Sequence, residues 1–250
     1  CLKLTISDKG FSIEKRIKIR NLIPNSFIDW EGMIVSTLYV GGCNFRCPFC
    51  YNADLVINPE KFPVIPEDYL FNYFWERKNF LDGVCLSGGE PTIYDDLPEF
   101  LLKIKSCNLK IKLDTNGSNP DKLSRIVKRG LVDYIAMDIK SCLETEMYQK
   151  VIVVQSVQIV NNIKESINII SNSGIDYEFR TTVVPVFHNE ITIEKIAQEI
   201  KGANRYVLQN FVSTEKLLDN KLAEVKPYSA QKMDELRRIA TLYVENCIVR

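Results

Sequence analysis

Residues 109–139, LKIKLDTNGSNPDKLSRIVKRGLVDYIAMDI, hold a complete strand–helix–strand unit. Residues 109–115 read as a strand, 120–129 as a helix that Gly130 stops, and 132–139 as a second strand. Two strands joined in this way run parallel, because the crossover helix carries the chain back to the end from which it started. The alternation extends both ways. Upstream, 33–40 and 83–87 read as strands, with helices expected at 66–78 and at 96–106, where Pro98 suits the first turn. Downstream, a helix ends at Gly174, 178–184 is a fifth strand, 192–201 a helix, 205–211 a sixth strand and 230–245 a last helix. Residues 141–156 are the least readable part. Strands alternating with amphipathic helices signify an α/β protein with a parallel sheet. Six βα units are too few to close an eight-stranded barrel. The expected fold is therefore a partial, open (β/α)6 TIM-like barrel that works at the C-terminal ends of its strands. One such domain is expected over 22–250, after an N-terminal extension of 1–21.

Composition narrows the function. Lys plus Arg equals Asp plus Glu at 32 each, so no global field draws in a nucleic-acid backbone, and no nucleic-acid partner is expected. The longest apolar runs fall short of the ~18 residues that span a bilayer, and no secretory signal is evident. A cytoplasmic protein without membrane attachment is the expectation, with the reservation that residue 1 is Cys and the natural start can lie upstream. Of eight cysteines, three cluster at Cys43, Cys47 and Cys50, while Cys1, Cys85, Cys107, Cys142 and Cys247 stand singly. In a cytosolic chain of this length clustered cysteines more often hold metal than form disulfides.

The cluster lies in Gly41-Gly42-Cys43-Asn44-Phe45-Arg46-Cys47-Pro48-Phe49-Cys50-Tyr51-Asn52, a C-x3-C-x2-C group directly after the first strand. Structural zinc and storage-type iron–sulfur sites want four ligands, so a triplet leaves one metal position open, as catalytic sites do. The bland alternative is a zinc site with a distant fourth ligand; His188, the only histidine, reads as a surface loop residue after Pro185 instead. Three further groups sit at strand ends. Ser87-Gly88-Gly89-Glu90-Pro91 offers backbone that a ligand can approach and a carboxylate for an ammonium. Asp114-Thr115-Asn116-Gly117 and Asp138-Ile139-Lys140 close the next two strands. Each alone is compatible with an ordinary turn. Cys85 reads as a small buried residue, Cys142 as a spare thiol or a neighbour of the active face, and Tyr148 as a radical or substrate contact or a surface aromatic.

Together these motifs resemble those of the radical S-adenosylmethionine superfamily. The resemblance narrows to anaerobic ribonucleoside-triphosphate reductase activating proteins, in the branch of pyruvate formate-lyase activating enzyme. It does so through Leu22-Ile23-Pro24-Asn25-Ser26-Phe27-Ile28-Asp29-Trp30-Glu31-Gly32 and Phe179-Arg180-Thr181-Thr182-Val183-Val184-Pro185. It implies a 4Fe-4S cluster on Cys43, Cys47 and Cys50, and S-adenosylmethionine held by Phe49, Gly88, Gly89, Glu90, Asp114, Asn116, Asp138 and Lys140. It also implies a monovalent cation near Asp114, Thr115 and Asp138. Gln209-Asn210-Phe211 lies where formate-lyase activases carry a cosubstrate-contacting histidine, which this chain lacks there. The implied partners are a glycyl-radical enzyme, anaerobic ribonucleotide reductase in particular, and a flavodoxin- or ferredoxin-type electron donor. Two rivals stand beside this reading: a radical enzyme acting on a small molecule, like the 7-carboxy-7-deazaguanine synthases, and a non-catalytic iron–sulfur electron carrier.

Overall fold

The computed structural model describes residues 15–250, so Cys1 and residues 1–14 of the expected extension lie outside the described residues. One sheet runs through the molecule in chain order: β1 (Ile19–Ser26), β2 (Val35–Val40), β3 (Gly83–Gly88), β4 (Lys110–Thr115), β5 (Tyr134–Asp138), β6 (Asp176–Val183), β7 (Tyr206–Asn210) and β8 (Cys247–Val249). Neighbours from β2 to β8 are parallel and β1 is antiparallel to β2. The two ends of the sheet do not pair, so the barrel is partial and open, as expected. Helices α1 (Ala53–Ile57), α2 (Glu67–Arg77), α3 (Leu97–Ser106), α4 (Pro120–Lys128), α5 (Thr145–Ile152), α6 (Ile159–Ser171), α7 (Glu190–Glu199) and α8 (Ala230–Thr241) connect the strands. None of them is long and apolar enough to cross a membrane.

The six expected strands are β2 to β7; β1 and β8 are additions. β1 carries Asn21, Pro24 and Asn25 and breaks register between Ile23 and Ser26, features that weaken strand propensity and are tolerated at an edge. Because β1 starts at Ile19, the expected boundary between residues 21 and 22 falls inside a strand. β8 has only three residues. α5 occupies the segment without a readable pattern. The quoted unit folds as expected: Asn119 accepts from the Lys122 N–H, Pro120 opens α4, and Gly130 takes a left-handed φ of 61° just beyond its end.

Alternation along each strand separates two faces. Leu38, Leu86, Leu113, Ile135 and Phe179 are buried in the large core beneath the helices. Their neighbours Thr37, Cys85, Lys112 and Tyr134 lie in register with one another across the other, inner face. At its N-terminal end that face is filled by the β1–β2 loop. Trp30 packs there with Val35 and Cys85, and the Lys112 ammonium donates to the Asp29 carbonyl. Cys85 is thus the small buried residue it reads as. Above this plug the inner face is open and holds the site.

Candidate active site

A half-open cavity of about 500 Å³ lies over the C-terminal ends of the strands and is walled by groups from all four sequence motifs. Cys43, Cys47 and Cys50 line it together. Their loop is built into the fold: Arg46 Nη1 donates to the Cys43 and Phe45 carbonyls at 2.7 and 2.8 Å, and the Phe45 N–H points at Cys43 Sγ at 3.3 Å. Burial pushes the Cys43 thiol up to about 12 and Cys47 up to about 11, and raises Cys50 as well. Ligation therefore has to release protons from neutral thiols.

Among the described residues no three His, Cys, Asp or Glu side chains converge closely enough to hold a single metal ion. A lone zinc needs its sulfurs within about 2.3 Å of one point. Three thiols from one loop that line the same cavity can instead take a polynuclear cluster, so the donor set fits a 4Fe-4S core with one iron left to another ligand. His188 does not serve as a fourth ligand, and it is not the surface residue its sequence context suggests. It is 1% exposed, its Nδ1 accepts from the Val184 N–H at 3.0 Å, and its Nε2 lies 2.9 Å from the Lys140 carbonyl.

The Ser87–Pro91 turn is docked on the cysteine loop. Gly89 and Glu90 N–H groups donate to the carbonyls of Val40 and Gly42, and Asn52 Nδ2 donates to the Gly88 carbonyl at 3.0 Å. A Cβ on Gly89 would stand 1.7 Å from the Gly42 oxygen, and Gly88 has a left-handed φ of 107°. The glycines are thus required first by the approach of protein backbone, rather than of a ligand. Glu90 is 1% exposed and both its oxygens are engaged: Oε1 accepts from Thr92 N, Thr92 Oγ1 and Thr115 Oγ1, and Oε2 from the Asn116 N–H. Burial nevertheless holds its carboxyl above the usual range. Only Oε2 keeps capacity for a further donor. Asn116 ties the third motif to the first, donating through Nδ2 to Asn44 Oδ1 at 2.9 Å.

Asp114, Asp138 and Lys140 meet as the sequence motifs suggest, with one residue that the motif reading overlooked. Arg180 donates through Nε to Asp138 Oδ1 at 2.7 Å and through Nη1 to Asp114 Oδ2 at 3.3 Å. Lys140 Nζ lies 2.9 Å from Asp138 Oδ2. Burial alone would raise the Asp138 carboxyl, but Arg180 and Lys140 outweigh it and hold it well below the usual carboxylate range. Arg180 was legible in principle: 176, 178, 180 and 182 are all polar in a strand whose odd positions are Tyr177, Phe179, Thr181 and Val183. The expected cation site is largely taken by protein groups. Thr115 Oγ1 is turned to Glu90, and Asp114 Oδ1 alone is buried without a hydrogen bond, 3.6 Å from Lys112 Nζ.

Phe49 lines the cavity but is 3% exposed, with its ring against Phe187 and His188 at centroid distances of 6.0 and 6.4 Å. Gln209 and Asn210 reach the cavity from the end of β7, as does Asp29 from the β1–β2 loop. Tyr148 is neither a surface aromatic nor a cavity group: it is fully buried and its hydroxyl accepts from the Lys140 N–H at 3.3 Å. Cys142 is buried beside a separate small recess with Glu144 and Lys195 and does not line the cavity.

The Radical SAM superfamily model matches residues 37–202. A Methanocaldococcus jannaschii protein named as a glycyl-radical enzyme activating enzyme is 28% identical over 93% of this chain and 95% of its own length. A pyruvate formate-lyase-activating enzyme of Clostridium pasteurianum is 25% identical over 88% of this chain and 95% of its own. The crystal structure of Streptococcus suis SuiB bound to S-adenosylmethionine superposes with a TM-score of 0.64 at 15% identity. That match covers 84% of this chain and about half of SuiB, 48%, and shows a shared fold.

Proposed function

The chain belongs to the radical S-adenosylmethionine superfamily, whose members use a 4Fe-4S cluster and S-adenosylmethionine, and from that premise we propose that it is a glycyl-radical activating enzyme. The proposed substrate is a backbone glycine of a partner protein, anaerobic ribonucleoside-triphosphate reductase, with electrons from a flavodoxin- or ferredoxin-type donor in the cytoplasm. When bound, the cluster and S-adenosylmethionine supply one-electron cleavage of the sulfonium and, from it, a carbon radical able to take hydrogen from a glycine Cα.

In this reading Cys43, Cys47 and Cys50 hold the cluster, and the turn from Gly88 to Glu90 fixes the amino acid end of the cosubstrate beside it. Glu90 Oε2 accepts from the ammonium, and Arg180 and Lys140 face the carboxylate. Their own pairing with Asp114 and Asp138 keeps both cations oriented before the ligand arrives. Asn116 holds the cysteine loop against the end of β4, and Phe49 closes the adenine side. A monovalent cation at this wall would meet Asp114 Oδ1, which makes no hydrogen bond and has Lys112 Nζ 3.6 Å away.

The observation that carries a protein substrate is the size and openness of the cleft. A site for one drug-sized ligand runs from about 300 to 1,000 Å³. About 500 Å³ must here take both a cluster and a cosubstrate, which leaves no enclosed room for a second small molecule. The substrate then reaches the site through the open side, as an extended loop can. The names of the relatives that match over nearly the whole chain support the same reading. Anaerobic incubation of the reduced, reconstituted protein with S-adenosylmethionine and the glycyl-radical reductase from the same source should yield a persistent glycyl doublet by electron paramagnetic resonance. Replacing the partner's radical glycine by alanine should abolish the doublet while uncoupled cosubstrate cleavage continues. Cleavage without a doublet for any glycyl-radical partner would favour the small-molecule rival.

A further inference from the structure

Lys140 reaches the cavity from a loop just beyond β5, and that loop is gripped through both peptide groups that flank the Lys140 Cα. The Lys140 N–H donates to the hydroxyl of Tyr148, which comes from α5, at 3.3 Å. The Lys140 carbonyl faces His188 Nε2, from the loop between β6 and α7, at 2.9 Å. Neither Tyr148 nor His188 lines the cavity, and both are at most 1% exposed.

The hydrogen bonds fix the chemistry of the imidazole. Nδ1 accepts from the Val184 N–H at 3.0 Å, so it carries no proton, and Nε2 must be the N–H that meets the Lys140 oxygen. A protonated ring would set an Nδ1–H against the Val184 N–H. Burial and the nearby Lys140 ammonium both oppose protonation. The same ring lies edge-on to Phe49, and the His188 carbonyl accepts from the Tyr228 hydroxyl at 2.9 Å.

We infer that His188, in its neutral Nε2–H form, and Tyr148 are positioning residues: together they clamp the main chain of Lys140 and so aim its ammonium at the cosubstrate. The inference rests on the reading of Lys140 as a cosubstrate contact. Neither residue touches the reacting atoms; each acts through the backbone of another.

The test uses the reconstituted holoprotein and S-adenosylmethionine itself, with affinity by calorimetry and iron content measured in parallel. His188→Leu should weaken cosubstrate binding about tenfold or more with iron loading unchanged, since a buried carbonyl loses its donor and the loop its register. His188→Gln can return an N–H to the same carbonyl and should restore most of the loss. Tyr148→Phe should weaken binding a few-fold by leaving the Lys140 N–H without an acceptor. Because His188 is the only histidine, its ring gives an unambiguous ¹⁵N spectrum, expected to show Nε2 protonated and Nδ1 bare at neutral pH. Wild-type affinity in His188→Leu, or an Nδ1-protonated ring, would overturn the clamp. Should His188→Leu fail to fold, Tyr148→Phe and the wild-type spectrum decide alone. A wild-type protein that binds no S-adenosylmethionine would instead overturn the reading of the site, and the spectrum would still test the clamp.

Discussion

The outer face of the sheet is stitched by Leu38, Leu86, Leu113, Ile135 and Phe179, all fully buried under helices. On the inner face of the same strands, Lys112, Asp114, Asp138, Glu178 and Arg180 form a ladder of alternating charge. Glu178, 1% exposed, is its hub: Lys112, Arg180, Arg205 and Arg250 all place nitrogens within 3.9 Å of its carboxylate. The outer face gains stability from apolar area withdrawn from water, which is indifferent to direction. The inner face gains in that way only at the Trp30, Val35 and Cys85 plug at its N-terminal end. Its buried charges are tolerated only because each is paired, and what they confer is orientation of groups toward the cavity. A fold can tolerate repacking of the first face; the site depends on the second.

Four measurements sharpen or break that contrast. The largest effect is expected at the rim of the inner face: Cys43→Ser, Cys47→Ser or Cys50→Ser should each remove most cluster iron, while Cys85→Ser, in the apolar plug, and Cys247→Ser retain it. Full loading of all three triplet variants would refute the ligand assignment.

Next comes the hub. Glu178→Gln keeps the shape but strips the charge that four cations share, and should cost about 3–5 kcal/mol by denaturant unfolding. Leu113→Ala on the outer face should cost about 2–5 kcal/mol by leaving a cavity. A loss below about 1 kcal/mol for Glu178→Gln would mean that the ladder behaves like a solvated surface network.

Nearer the ligand, Lys140→Ala, Arg180→Ala and Glu90→Ala should keep the brown chromophore yet weaken S-adenosylmethionine by about 2–5 kcal/mol in calorimetry. Unchanged affinity in all three would remove the cosubstrate from this wall.

The smallest effect is a titration. Burial takes His188 down from 6.5 to about 4. Between these values the unfolded chain binds a proton that the folded chain refuses, so stability rises with pH across the window and falls by up to about 3 kcal/mol as pH drops through it. Asp138, held low by Arg180 and Lys140, adds its own loss only below the ordinary carboxylate range, about pH 4. The single histidine resonance should therefore titrate near 4. A midpoint near 6.5 would place the ring in solvent, where the sequence alone had put it.

The sequence by itself determined the strand–helix alternation, the openness of the barrel and the four motifs at strand ends. These are local signals: apolar period, turn residues such as Pro120 and Gly130, and cysteine spacing are each written within a dozen residues. Tertiary structure decided the rest. β1, with Pro24 in its middle, is a strand only because β2 offers it an edge, and β8 only because β7 does. Gly89 proved necessary because the Gly42 carbonyl, some fifty residues earlier in the chain, comes to rest against it. Arg180 joins Asp114 to Asp138, and His188 reaches Lys140, across pairings 66, 42 and 48 residues long. A side chain's partner in such a pair is set by which strand ends the sheet brings together, and that information resides in the register between strands rather than in any one of them.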